Sequence, residues 1–210
     1  MKTIKQEHIE AEITEKKSKF IANVFYVKTQ EEAEEKIKEI RKKYYDARHN
    51  TFAYSITLKD EIITKSSDDG EPSKTAGAPI LNVINGNDLS NILIVVTRYF
   101  GGILLGTGGL VKAYTNASLE ALNKAEFVTE KLGLEFKIKI DYNDLEKLKY
   151  YCQKNEINII KIDYKEFIEC TLEVTNEEKD KIILNNQDNA FNIIEYEIIK
   201  EKNIRKNIEK

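Results

Sequence analysis

SSDDGEPSKTAGAPILNVINGNDLSNILIVVTRYFGGILLGTGGLVKAY, Ser66 to Tyr114, is the stretch on which the reading of this chain turns. Inside it, residues 92–97 (ILIVVT) are apolar at five successive positions before the threonine. A half-exposed strand alternates apolar and polar residues. One that is apolar on both faces belongs in the middle of a covered sheet. The run leaves the strand at Arg98, Tyr99 and Phe100. Gly101 and Gly102 follow, then Gly106, Thr107, Gly108 and Gly109. Eight of the nine glycines of the chain, and both prolines, lie between Gly70 and Gly109. Glycine permits tight turns and close backbone approach. From Leu89 to Leu119 the only charged residues are Arg98 and Lys112, although 33% of the chain is charged. Two isolated cations in a glycine-rich segment mark the expected site.

Around this centre the pattern is that of ordinary strands and helices. Ile9, Ala11 and Ile13 alternate with charged residues and predict a half-exposed strand. Residues 16–19 (KKSK) predict a turn, and residues 20–27 a second strand. Thr29 followed by Glu32 predicts the capped start of a helix, with Ala33, Ile37, Ile40 and Tyr44 facing the core. Residues 50–58 form a strand, and Asp60 and Glu61 mark a hairpin after it. Pro79 suits the first turn of a helix that buries Ile80, Leu81, Val83 and Ile84 and ends at Gly86. A second helix is expected from Thr107 to Ala125, burying Leu110, Val111, Tyr114, Ala117, Ala121 and Leu122.

After Gly133 the order becomes strand, helix, strand, strand, helix, strand. Both helices carry a capping signal, Asn143 with Glu146 and Thr175 with Glu178. This is the βαββαβ order of a ferredoxin-like unit. The expectation is therefore an α+β chain of two domains, residues 1–132 and 133–210. The charged tail after Glu201 is expected to fray.

With 210 residues and 41% hydrophobic content, the chain has enough material for a core. A net charge of −3 argues against coating nucleic acid through charge alone, though local basic patches stay open. No run of about 18 apolar residues predicts a membrane span. The polar N-terminus lacks the apolar centre of a signal peptide. The two cysteines, Cys152 and Cys170, have no metal-ligand spacing and read as reduced thiols of a cytoplasmic protein.

Four chemistries fit residues in the central segment or just before it. Glycines ahead of a helix expose free N–H groups and the positive end of the helix dipole, which suits an anion or phosphate at residues 106–109, with Arg98 and Lys112 nearby. The segment is neither a Walker loop nor a dinucleotide fingerprint, because Val111 stands where the third glycine would fall. The same glycines serve equally well for close packing. Asp68, Asp69 and Glu71 around Gly70 have the donors for a hard cation, but the spacing of an EF-hand is missing and the sequence is good turn chemistry. Asp46, Arg48 and His49 precede a strand, where a histidine serves as a general base or as a structural hydrogen-bonding residue. Ser73 and Thr75 add hydroxyls without a nucleophile elbow. Tyr99 and Phe100 can stack on a base or a partner side chain, or close the core.

Several uncommon motifs occur here in one order: Lys17-Ser18-Lys19-Phe20, Asp46-Ala47-Arg48-His49-Asn50, Ser67-Asp68-Asp69-Gly70-Glu71-Pro72-Ser73, Thr75-Ala76-Gly77, Thr97-Arg98-Tyr99-Phe100-Gly101-Gly102 and Gly106-Thr107-Gly108-Gly109-Leu110. In them the chain resembles the IMPACT/YigZ family. The resemblance implies a first domain like the second domain of ribosomal protein S5, and a second like the last domain of elongation factor G. Eukaryotic relatives bind a ribosome-associated activator of a starvation-response kinase. Some relatives carry a dipeptidase label, but the two-metal ligand set of such an enzyme is not visible here. The chain departs from the family pattern at Lys74, usually glycine, and at Thr51, often cysteine.

The expectation is a non-catalytic binding protein linked to translation, without cofactor or metal. It engages ribosome, RNA or a translation-associated protein, and no membrane. The alternative is an enzyme acting on a phosphorylated or nucleotide substrate. The candidate binding residues are Arg48, His49, Asp68, Asp69, Glu71, Ser73, Thr75, Arg98, Tyr99, Gly101, Gly102, Gly106, Thr107, Gly108, Gly109 and Lys112. Arg98→Ala is expected to weaken partner binding with little change in stability.

Overall fold

A computed structural model describes residues 1–58, 61–187 and 191–208. The chain forms two compact α+β units, one of Met1–Thr129 with Asn207 and Ile208, the other of Glu130–Lys206.

The first unit runs β1 (Lys2–Ile4), β2 (His8–Glu15), β3 (Ser18–Tyr26), α1 (Gln30–Lys43), β4 (His49–Leu58), β5 (Glu61–Ser67), α2 (Gly77–Gly86), β6 (Ile92–Tyr99) and α3 (Gly106–Asn123). Five strands form an antiparallel sheet in the order β2-β3-β6-β4-β5. The doubly apolar strand β6 is at its centre. Leu93 and Val95 join Phe52, Tyr54 and Ile56 under Ala33, Ile37 and Ile40 of α1. Ile92, Ile94 and Val96 face the other way, under Ile80 and Ile84 of α2 and Leu110, Tyr114 and Ala117 of α3. Each face has its own helical cover, so neither needs polar residues.

Local signals hold at most element ends. Thr29 Oγ1 accepts from the Glu32 N–H at 3.2 Å, and the Glu32 carboxylate accepts from the Lys28 N–H at 2.7 Å. Lys16 and Lys17 take left-handed conformations (φ 44° and 65°) in the β2–β3 turn. Asp60, expected to mark the β4–β5 hairpin, lies outside the described residues, while Leu58 pairs with Glu61 across it. α2 ends at Gly86 as expected, and a left-handed residue, Asp88 (φ 55°), follows. One expectation is corrected. Val111 is not buried but exposed, because it lies on the outer side of α3.

β7 (Phe127–Ile140) begins in the first unit, where Phe127, Val128 and Thr129 pair with β1, and its residues from Glu130 on open the second unit. A 3-10 turn (Tyr142–Asp144) leads into α4 (Leu145–Lys154), then β8 (Asn158–Tyr164), β9 (Ile168–Val174), α5 (Asn176–Gln187) and β10 (Ile193–Asn207). The sheet order β10-β7-β9-β8 is that of the ferredoxin-like arrangement. Phe136, Ile138, Cys170 and Leu172 pack with Leu148, Cys152 and Ile182 of the helices. Residues between them carry charges that neutralise in pairs across strands: Lys137 with Glu169 and Glu197, Lys139 with Glu195, and Lys202 with Glu135 and Glu173.

Thr175 and Glu178 cap α5 reciprocally, at 2.8 and 3.2 Å. Asn143 does not cap α4. It lies inside the 3-10 turn, and the following Asp144 carboxylate accepts from Lys147 and from the Asn192 N–H. Nor does the tail fray after Glu201. β10 continues to Asn207 because Ile204 is buried against Gly133, where a methyl group would meet Ile204 Cδ1 at 2.5 Å.

Candidate functional site

The antiparallel register explains why motifs scattered along the chain belong together. Glu15 pairs with Ser18, Lys19 with Tyr99, Arg98 with His49, and Phe52 with Ser67. The β2–β3 turn, the start of β4, the end of β5 and the end of β6 therefore converge at one end of the sheet. There they meet the loop 68–76 and the start of α3.

Asp68 organises the loop. Its Oδ2 accepts from the Lys74 N–H at 2.8 Å, and its Oδ1 from the N–H groups of Ala76 and Gly77 at 3.0 and 2.8 Å. The N-cap residue of α2, Ala76, has no capping side chain. Asp68 supplies that acceptor from eight positions upstream and puts a negative charge at the positive end of the helix. Gly77 is required because a Cβ there would lie 2.7 Å from the Ser67 nitrogen. Asp69 divides its carboxylate between Arg41 Nη2 and the Asn50 N–H, both at 2.7 Å. The Asp69 carbonyl accepts from His49 Nδ1 at 2.9 Å, which leaves Nε2 as the free ring nitrogen, 4.0 Å from Glu71 Oε1. Thr75 is buried and donates to the Pro72 carbonyl at 2.6 Å, while Ser73 is exposed.

Glu71 joins the loop to the central strand. Its Oε1 accepts from Arg98 Nη1 at 2.6 Å and from Tyr114 Oη at 2.8 Å. The guanidinium lies 5.5 Å from the Phe20 ring and 5.6 Å from the Phe100 ring. Phe20 in turn meets Tyr114 edge to face at 5.1 Å. Burial, and then the Glu71 carboxylate, hold the Tyr114 hydroxyl far above the ordinary tyrosine range. Arg98 retains only 7% exposure. Arg98, one of the two isolated cations that mark the expected site, is thus spent on a buried pair that ties the loop, β6 and α3 together. Burial of an arginine requires such a partner.

Asp68, Asp69 and Glu71 do not converge. Their oxygens answer to different N–H groups, to Arg41 and to Arg98. Among the described residues there is no group of three or more His, Cys, Asp or Glu that could hold a metal. The groups invoked for acid–base chemistry are committed to holding the loop, with His49 Nε2 the exception.

The glycine turn has two parts. Gly101 is an obligatory contact, since a Cβ there would lie 2.0 Å from the carbonyl carbon of Lys17, and its N–H donates to the buried Ser18 Oγ at 3.1 Å. Gly102 (φ 85°) and Gly106 (φ 73°) take left-handed conformations in open space. Gly106, Thr107 and Gly108 are exposed, and Gly109 packs a virtual Cβ against Leu105 at 3.0 Å. α3 starts without a capping side chain. Lys112 and Arg48 are exposed and form no ion pair among the described residues. The Tyr99 hydroxyl donates to Asp46 at 2.7 Å, and that bond pushes its pKa up to about 12.

Three participants escaped the sequence reading. Arg41, on the exposed face of α1, pairs with Asp69. Ser18 seats the glycine turn. Tyr114 was expected only as apolar filling; its hydroxyl on a buried helix face was the one available signal, since a buried phenol needs a partner.

Residues 16–122 match the family model described as the Impact N-terminal domain, and residues 138–183 match the Domain of unknown function (DUF1949). IMPACT family member YvyE of Bacillus subtilis (strain 168) is 42% identical over 160 residues, 76% of this chain and 73% of that one. IMPACT family member YigZ of Escherichia coli (strain K12) is 36% identical over 154 residues, 73% of this chain and 76% of that one. A crystal structure of a hypothetical protein superposes with a TM-score of 0.61 at 28% identity, covering 95% of this chain and 97% of the other.

Proposed function

Because this chain belongs to the IMPACT family, we propose that it is a cytoplasmic, non-catalytic binding protein linked to translation, acting through the end of the first unit's sheet where loop 68–75 and turn 98–109 lie. One observation carries the reading. The motif segments converge there, and inside the cluster most of their polar groups are matched to one another, with Arg98 Nε left without a hydrogen-bond partner. The residues left over point outward: Lys16, Lys17, Lys74, Arg48 and Lys112, beside exposed Phe100, Ile103 and Leu104. A catalytic site keeps an unmatched reactive group in a cavity. Here most of the interior is committed to holding the loop, His49 Nε2 and the buried Arg98 Nε apart, while the surface cations form no ion pair among the described residues, which is the pattern of a docking face. The cross-strand charges of the second unit are neutralised in pairs, so its sheet is a weaker candidate for binding anionic RNA.

Co-sedimentation of the purified chain with ribosomes, at low and moderate salt, tests the reading. Wild type should co-migrate in a salt-sensitive way. The Lys17→Glu/Lys112→Glu double variant should not. Wild type that stays at the top of the gradient at both salts would overturn the proposal.

A further inference from the structure

We propose that the loop after β6, with the first two turns of α3, docks an acidic segment of a partner protein that inserts apolar side chains. This rests on the binding reading above and names the class of partner. Leu104 is 83% exposed, Phe100 52%, Ile103 42% and Val111 38%. Contiguous exposed apolar residues mark interaction surfaces.

The start of the patch is anchored. Gly101 is wedged against the Lys17 backbone, its N–H is bound by Ser18, and the Phe100 ring lies against the buried Arg98 guanidinium. At Phe100 and Gly101 little ordering is left to be done on binding. Lys17 adjoins it through the Gly101 contact, with Lys16 preceding it in the turn, and Lys112 follows Val111. None of these three forms an ion pair among the described residues, and the sequence from Leu89 to Leu119 contains no acidic residue.

The cations call for an acidic occupant, and three are conceivable. RNA binding would use aromatic faces for base stacking. Of the four exposed apolar residues only Phe100 is aromatic, and its ring already lies beside Arg98. A second copy in a two-fold contact would set each cationic rim against its equal. An acidic protein segment with leucine-like anchors satisfies both the aliphatic and the cationic parts.

The test uses the full chain and fluorescence anisotropy. The probes are a synthetic amphipathic peptide with leucines on one face and glutamates on the other, the same peptide with serines for leucines, and a single-stranded oligouridylate. The leucine–glutamate peptide should bind in a salt-sensitive manner and more tightly than either control. Leu104→Asp should weaken it roughly tenfold or more, as expected for losing a leucine anchor, and Leu104→Met should restore most of the affinity. Equal peptide binding by Leu104→Asp would overturn the proposal. So would tighter binding of the oligouridylate, which would make the face a nucleic-acid site, or Leu104-dependent dimerisation, which would make it a self-interface.

Ribosome co-sedimentation of Leu104→Asp separates the two proposals. If the variant pellets like wild type, the ribosome reading stands and this surface is not the contact. If wild type binds the peptide but not ribosomes, only the ribosome reading falls.

Discussion

Glu71 and Arg98, 27 positions apart in the sequence, form an ion pair of 2.6 Å in which the side chains keep 3% and 7% exposure. A buried pair of this kind adds little net stability over an apolar replacement, but removing one partner leaves a charge stranded. The Glu71 carboxylate also receives the Tyr114 hydroxyl, so three elements depend on it.

Arg98→Ala should therefore destabilise the first unit by about 3–5 kcal/mol. Thermal and urea unfolding would register this before any binding assay could. The Glu71→Gln/Arg98→Met double variant should cost much less, since no lone charge stays buried and the amide still accepts from Tyr114. Equal losses in the two variants would show that neither the stranded charge nor the lost volume sets the cost, and that the Glu71–Arg98 contact itself does.

Among the glycines of the turn, position separates two outcomes. Gly101→Ala should cost about 3 kcal/mol or more, because its Cβ would collide with the Lys17 backbone at 2.0 Å, not with a yielding side chain. Gly108→Ala meets nothing within 4 Å and should be neutral or stabilising by up to about 1 kcal/mol through helix propensity. Unfolding midpoints of the two variants measured side by side check the contrast.

Lys74 stands at φ 63° in the loop, where a side chain crowds its own backbone. Lys74→Gly should stabilise the chain by about 1 kcal/mol while the Asp68 carboxylate still accepts from residue 74. An unchanged or lowered melting temperature would refute this account.

Burial pushes the Cys152 thiol up to about 12 and the Cys170 thiol up to about 11, from an ordinary 9.0. Each raised pKa means that folding favours the neutral thiol. The stability this contributes is full below pH 9 and is lost as the pH rises through 11 to 12. At mildly alkaline pH neither thiol should react with Ellman's reagent in the folded chain, and both should react in concentrated guanidinium chloride. Reaction of either thiol without denaturant would place it nearer the surface.

Much of this protein was determined by sequence alone. The doubly apolar run before Arg98 called for a strand covered on both faces. Thr29 with Glu32 and Thr175 with Glu178 marked helix starts, and the strand–helix alternation after Gly133 specified the second unit's order. These signals are local, since a period or a cap spans only a few residues. What the polar residues do was decided by the tertiary structure. Arg98 read as an isolated cation because its partner is 27 residues away, and only the tertiary fold brings Glu71 and Tyr114 to it. Asp68 reads as turn chemistry until the fold sets it against the first N–H groups of α2. Val111 and Leu104 are apolar, yet the direction of α3 and the grip of Ser18 on Gly101 leave them outside. A side chain's type limits which partners it can take; the packing of distant segments selects one, because burial and hydrogen bonding depend on neighbours in space.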